Sequence, residues 1–323
     1  MISGFPNSQK NINGQKIPGA DTNAPYPPAR ARSLRQDDIS LADAHDDLND
    51  PLLAEAAQLR ASPAFPDAVR EYTIAIARFR EAPRLINKLI ASETRFRLTA
   101  YVFCFATYYE RHGPQGGVTY TQLLNLCASR EELTPRTLKT TLTLLKLGGF
   151  VKTSRHPFDR RSKSYHPTPR MMDFVRSWMP HAVNALDAVQ PDMQRARMLA
   201  QDPDFIPRFA AAAGHEHATG IPLIDRMPEF TCFFGKREGA IPVVLAVMLS
   251  DIDGTPLPSR AQIAKRFGLS KTQVSNMIAE GSRLGFFATD EMGTPRATTR
   301  LRDSYGRFIS IELAFYARHM RPA

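Results

Sequence analysis

The sequence predicts a mainly α-helical protein that carries small β-hairpins. Apolar residues recur at helical spacing over much of the chain. Two segments, 119–170 and 259–302, share the order helix, turn, helix, glycine and hairpin. A capping residue and a glycine recur at one constant offset between the two segments. These three observations predict a mainly α fold with two copies of the same unit.

The first segment predicts a helix-turn-helix followed by a two-stranded wing. Thr119 is expected to cap a helix that reaches Ala128. Thr134, followed by Pro135 at the first helical position, is expected to cap a second helix that reaches about Leu147. Four leucines of this second helix are expected to face the core: Leu138, Leu142, Leu145 and Leu147. Its outer face is basic and rich in hydroxyl groups, as in helices that read the major groove of DNA, and comprises Arg136, Lys139, Thr140, Thr143 and Lys146.

The hairpin of the first segment is strongly basic. Gly148 and Gly149 are expected to end the second helix, since glycine adopts the left-handed conformation readily. The strand that follows leads to a loop over 154–164. This loop carries one acidic residue and four basic ones, which are expected to contact phosphates or the minor groove of DNA: Arg155, Arg160, Arg161 and Lys163.

Four motifs of the first segment together resemble the MarR-type winged-helix regulators. They are the helix-turn-helix, the strand start Gly149-Phe150-Val151, the wing motif Asp159-Arg160-Arg161 and the exit Thr168-Pro169-Arg170. The resemblance covers the 75 residues of 96–170. Two features depart from the family pattern: the turn over 127–134 is longer than usual, and Met171 stands where a glycine is common.

The resemblance has two implications for DNA binding and assembly. It implies that Asp159 orients Arg161 and that Arg161 reaches the minor groove. It also implies a homodimer formed through the helices that flank the first unit.

The second segment has the more regular helix-turn-helix. Ser259 is expected to cap a helix that ends before Gly268, and Ser270 to cap a second helix that reaches Leu284. Gln273 and Asn276 can form bidentate hydrogen bonds with adenine. The residues expected to face DNA are Arg260, Lys271, Thr272, Gln273, Ser275 and Asn276, together with Arg296 and Arg300 of a wing that runs over 289–300.

The offset between the segments supports a duplication. Ser270 stands 136 positions after Thr134, and Gly285 stands 136 positions after Gly149. The sequence therefore predicts tandem winged helix-turn-helix domains with small β-wings.

Composition and patterning divide the chain into four regions. Residues 1–66 are expected to form a mostly disordered N-terminal tail, in which Leu52–Arg60 could form a short helix. Residues 67–200 are expected to form the first winged-helix domain with flanking helices. A helical connector is expected over 201–238, and the second winged-helix domain over 239–323.

Charge favours a polyanionic partner. The chain carries a net charge of +10, and 95–170 holds 13 Lys and Arg against 4 Asp and Glu. The three cysteines are widely separated, and no apolar run approaches the roughly 20 residues of a membrane span. We therefore expect a cytoplasmic, nucleoid-associated protein whose partner is double-stranded DNA and not a membrane.

The predicted function is sequence-specific binding of double-stranded DNA in transcription regulation. Two alternatives remain: a plasmid-type replication initiator with paired winged helices, and a winged-helix scaffold that binds proteins in chromosome organisation. An enzyme is not expected, because no phosphate-cradling glycine loop and no nucleophile with a plausible base is present. No cofactor and no metal site is expected either, since the pattern His215-Glu216-His217 lacks a third cluster of ligands.

Overall fold

Helices dominate the computed structural model, which agrees with the predicted mainly α fold class, and the strands are few, short and antiparallel. The structure describes residues 50–81, 93–112, 117–128, 134–156, 161–219, 226–227, 233, 237, 239–291 and 293–320.

The helices up to residue 201 of this described part are α1 (Pro51–Arg60), α2 (Phe65–Arg80), α3 (Glu93–His112), α4 (Tyr120–Ala128), α5 (Pro135–Leu147), α6 (Pro169–Trp178), α7 (Pro180–Val189) and α8 (Arg195–Gln201). The strands in the same part are β1 (Val118–Thr119), β2 (Val151–Arg155) and β3 (Lys163–Pro167). The later elements are α9 (Phe205–Thr219), α10 (Ala240–Ile252), α11 (Arg260–Phe267), α12 (Lys271–Arg283), β4 (Phe287–Thr289), β5 (Pro295–Ala297) and α13 (Thr299–His319).

The elements fall into two similar series. The first repeat, 93–178, comprises α3, β1, α4, α5, β2, β3 and α6, and the second repeat, 240–319, comprises α10, α11, α12, β4, β5 and α13. In the first repeat β3 lies between β1 and β2, with Arg155 opposite Lys163 at the loop end of the hairpin. In the second repeat β4 pairs with β5 alone.

The two repeats share one apolar core. Helix α2 lies against α7 and α10, α1 lies against α13, and α3 lies against α9. Around Trp178, the ring of Phe79 is at 4.8 Å and that of Phe96 at 4.3 Å between centroids. Buried hydroxyl contacts also cross the core: Tyr72 donates to Glu312 of α13, and Thr73 Oγ1 lies 2.9 Å from the Tyr305 hydroxyl. The buried faces of α2, α6 and α7 are therefore covered by other helices of the same chain.

Helix α1 corrects part of the expectation for 1–66. The helix predicted over Leu52–Arg60 is present, capped by Asp50, and its apolar side is buried against α13. Arg60 Nη1 also donates to Ser310 Oγ at 2.9 Å. Residues 50–66 therefore belong to the folded body, because α13 supplies an apolar surface from the far end of the chain. Residues 1–49 lie outside the described part.

Candidate nucleic-acid interface

The first helix of each helix pair, α4 and α11, starts with the same hydrogen bonds. The Thr119 amide donates to Gln122 Oε1 at 2.8 Å, and the Ser259 amide donates to Gln262 Oε1, also at 2.8 Å. In return, the backbone amide of each glutamine donates to the hydroxyl of the capping residue at 3.3 Å. These reciprocal capping boxes satisfy amides that would otherwise lack acceptors.

The hairpins of the two repeats are closed by equivalent threonines. Thr168 Oγ1 donates to the Gly149 carbonyl at 2.7 Å, and Thr298 Oγ1 donates to the Gly285 carbonyl at 2.7 Å. Both glycines have positive φ, 70° and 76°, a region in which most side chains are strained. Each threonine also caps the helix that follows its hairpin. The second helix, the hairpin and the following helix are thus joined in the same way in both repeats.

Helix α5 presents a polar outer surface and a buried inner one. All five outer residues predicted from the sequence are exposed: Arg136, Lys139, Thr140, Thr143 and Lys146. Leu138, Leu142 and Leu145 are buried beneath them, as predicted. The expectation for Leu147 was wrong, since its side chain is 77% exposed in the last turn. It therefore adds an apolar contact surface to the basic face.

The two threonine hydroxyls on this face are only partly committed. Thr140 Oγ1 donates to the Arg136 carbonyl at 2.9 Å, and Thr143 Oγ1 donates to the Lys139 carbonyl at 2.8 Å. A hydroxyl that donates inward retains acceptor capacity toward solvent. The surface is therefore able to accept hydrogen bonds as well as to offer positive charge.

The described part of the first hairpin is basic and exposed. Arg155, Arg161 and Lys163 are all exposed, and neither strand contains an acidic residue. Asp159 and Arg160 lie outside the described residues. The predicted role of Arg160 and the predicted contact of Asp159 with Arg161 therefore remain predictions. The sequence reasoning missed one further cation, Lys152, which is exposed on β2. Its position in the strand that leads into the basic loop could have identified it from the sequence.

Helix α12 is less basic than α5. Lys271, Thr272 and Asn276 are exposed, whereas Ser275 is partly buried. Val274, Met277 and Ile278 form the buried side, as predicted. The exposed face of α12 therefore offers the amide of Asn276, the hydroxyl of Thr272 and the single positive charge of Lys271.

Gln273 has a structural task that the base-reading prediction did not include. Its Oε1 accepts from the Ser270 amide at 2.8 Å, and its own amide donates to Ser270 Oγ at 3.0 Å. The side chain is partly buried rather than enclosed in the core. A bidentate contact with adenine uses both the oxygen and the nitrogen of the glutamine amide. Because its oxygen is engaged in the cap, Gln273 is poorly placed for that contact, and Asn276 is the better candidate.

The second hairpin offers less positive charge than predicted. Arg296 Nε donates to Asp290 Oδ2 at 3.0 Å, so its charge is matched. Arg300, which is expected to face DNA, is partly buried: its Nη1 donates to the Leu284 carbonyl at 2.7 Å, and its guanidinium lies 4.8 Å from the Phe286 ring centroid. Arg300 thus ties α13 to the end of α12.

The equivalent arginine of the first repeat takes a similar position. The Arg170 guanidinium lies 5.1 Å from the Phe150 ring centroid. In the second repeat, Arg260 is exposed at the start of α11, and its Nη1 lies 3.5 Å from Ser275 Oγ on α12. The guanidinium of Arg260 therefore lies at the exposed junction of the two helices.

The metal-like pattern on α9 is used for packing and ion pairing. Glu216 accepts from His319 Nε2 at 2.8 Å and lies 3.5 Å from Arg318 Nη1. The His217 ring stacks on Phe315 at 5.0 Å between centroids.

Two further findings bear on the class of protein. Among the helices that the structure describes, each is too short or too polar to cross a membrane. Comparisons with protein-family models, with curated proteins and with solved structures give no significant match to this chain.

Proposed function

We propose that this chain is a sequence-specific regulator of transcription that binds double-stranded DNA through two winged helix-turn-helix units. The observation that carries the proposal is the duplicated arrangement of helix, turn, helix and hairpin, each copy with an exposed polar second helix over a buried apolar side. Winged-helix proteins place this second helix in the major groove and use the hairpin beside it. The likeness of the first repeat to MarR-type regulators is part of the same proposal.

Charge distribution supports the first repeat as the stronger contact with phosphates. Helix α5, β2 and β3 contain no acidic residue, and their exposed cations extend from the helix to the hairpin. In the second repeat Glu280 of α12 is paired with Arg283 and Arg237, both at 2.9 Å, and Arg296 is paired with Asp290. We therefore assign most of the salt-dependent affinity to the first repeat and base reading to both.

The shared core supports a chain that supplies both reading units itself. The helices that flank the first repeat, α2 and α7, lie against α10 and α13 of the same chain. Those buried faces are not exposed to a second copy, which weighs against a homodimer formed through them. A fixed pair of units acts as an internal pseudo-dimer, and we expect its half-sites to lie about 34 Å apart.

Selection of bound duplexes from a random pool tests the proposal. The full chain should enrich a motif with two separated half-sites, and footprinting should show protection of both. Asn276→Ala should relax base preference at one position, whereas Lys139→Ala should weaken binding on all sequences. Gln201→Ala, which removes an exposed side-chain amide from α8 outside both repeats, is the matched control and should leave affinity and base preference unchanged. Absence of DNA affinity at low salt would contradict the proposal and favour the protein-binding scaffold.

The second candidate is a plasmid-type replication initiator. The packing of both repeats into one body favours it as well, because a rigid pair of reading units suits repeated origin sequences. Mapping of bound DNA in cells distinguishes the two functions. An initiator should be concentrated at one array of repeats, whereas a regulator should occupy promoters.

A further inference from the structure

A polar groove is lined by none of the residues proposed to face DNA. Its walls are α1, the connection between α7 and α8, and α13. Its volume is about 970 Å³, which is within the range of roughly 300–1,000 Å³ typical of small-molecule sites. Gln58, Gln190, Asp192, Arg195 and Arg318 are among the residues that line it.

Arg195 is the unusual residue of this groove. It is the first residue of α8 and is only 2% exposed. Its Nη2 donates to Gln190 Oε1 at 2.7 Å, whereas Nε and Nη1 are buried and have no acceptor. Burial lowers the pKa of Arg195 from its usual value, but an arginine side chain stays protonated in proteins. Buried donors without an acceptor are rare and costly, so Nε and Nη1 favour an acceptor from outside the described chain.

The acidic residues nearby do not supply that acceptor. Both carboxylate oxygens of Asp187 accept backbone amides, those of Arg195 and Ala196, each at 2.8 Å. Glu55 lies 3.3 Å from Arg318, which also lies 3.5 Å from Glu216, so Glu55 is engaged by Arg318 and not by Arg195. The guanidinium of Arg195 is thus left with hydrogen-bonding capacity that the described residues do not use.

The backbone before Arg195 holds its side chain in this place. Gln194 has a φ of 45°, the only positive φ of a non-glycine residue in the described chain. Such a conformation costs roughly 1–2 kcal/mol and persists where its surroundings enforce it. The Asp187 cap and this turn together orient the start of α8.

We propose that the groove binds a small molecule through an oxyanion group, carboxylate or phosphate, with Arg195 as the anchoring cation. Arginine is suited to such groups because charge-assisted hydrogen bonds from its nitrogens are short and strong. Gln190 holds the guanidinium from the protein side. The ligand would contact α13 of the second repeat and the connection between α7 and α8, which follows the first repeat in the chain. The site is independent of whether the chain binds DNA.

Thermal unfolding of the full chain tests the site, with sodium phosphate and sodium acetate as probes against sodium chloride at matched ionic strength. A ligand that binds only the folded state raises Tm in a saturable way. The wild type and Arg197→Met, a control on the exposed side of the same helix, should show this rise. Arg195→Met should bind at least about tenfold more weakly, since the charge partner of the anion is removed. A response to phosphate alone or to acetate alone identifies the source of the oxyanion.

Two results would overturn the proposal. One is the absence of a saturable effect of either anion on the wild type, and the other is an equal rise of Tm in all three proteins. If Arg195→Met does not fold, calorimetric titration of the wild type decides instead. Saturable binding at one site per chain supports the proposal, and a response without saturation refutes it.

Discussion

Neutralising the first hairpin should change the salt dependence of DNA binding by a defined amount. Arg155 and Lys163 face each other across β2 and β3 and are both exposed. Each phosphate contact with B-DNA contributes about 0.9 to the slope of log K against log salt, so Arg155→Gln with Lys163→Gln should reduce the slope by about 1.8. Between 50 and 200 mM salt, a fourfold change, the wild type should lose about 12-fold more affinity than this variant.

The assay is a filter-binding or anisotropy titration at several salt concentrations on selected and unrelated duplexes. The loss at low salt should be similar on both kinds of DNA, because phosphates carry no direct sequence information. Arg78→Gln with Arg197→Gln removes the same charge from α2 and α8, outside the two repeats, and should leave the slope unchanged. Arg296→Gln should have a smaller effect than either residue of the first hairpin, because Arg296 is already paired with Asp290. Equal slopes for the wild type and the first-hairpin variant would refute the placement of this hairpin on the phosphates.

Three further predictions concern stability and base reading. Leu138→Ala should destabilise the chain by about 2–5 kcal/mol in urea unfolding, since its fully buried side chain leaves a cavity, whereas exposed Leu147→Ala should change stability by less than about 0.5 kcal/mol. Gln273→Ala should cost roughly 1 kcal/mol through loss of the hydrogen bond that Gln273 Oε1 accepts from the Ser270 amide, and it should leave the selected DNA motif unchanged; a changed motif would show that Gln273 reads a base after all. Burial lowers the pKa of His181 from 6.5 to about 3. Below about pH 6.5 the imidazole therefore binds a proton in the unfolded state but not in the folded state. The free energy of unfolding should consequently decrease as the pH is lowered. From pH 7 to pH 5 this loss should be about 2 kcal/mol larger in the wild type than in His181→Asn, and equal losses would show that His181 is not buried as a neutral imidazole.

Local signals were sufficient for the helix pairs and hairpins of both repeats, but not for β1, which adds a third strand to the predicted two-stranded wing of the first repeat. The caps at Thr134, Ser259 and Ser270 are all present because a cap depends on a few neighbouring residues. Gly149 and Gly285 have the left-handed backbone that ends a helix. The exposure of the polar side of α5 was also predictable, since helical periodicity determines which residues share a face.

Individual side chains were less predictable, because their partners lie elsewhere. Arg300 belongs by sequence to a basic hairpin, yet the Leu284 carbonyl and the Phe286 ring direct it into the junction with α12. Leu147 satisfies the helical period, yet its position in the last turn of α5 leaves its side chain 77% exposed. A one-dimensional pattern contains the spacing of residues but not the surface opposite them.

By itself, the sequence determined the helical class, the duplicated order of elements and the basic character of the first repeat, because periodicity, capping and charge are properties of neighbouring residues. Only the tertiary structure decided that α1 is covered by α13, that both repeats share one core, and that Arg195 is enclosed beside a groove. These features bring together residues far apart in the chain. The free energy that stabilises these contacts comes from burial of apolar surface against residues distant in the sequence, which a local pattern does not reveal.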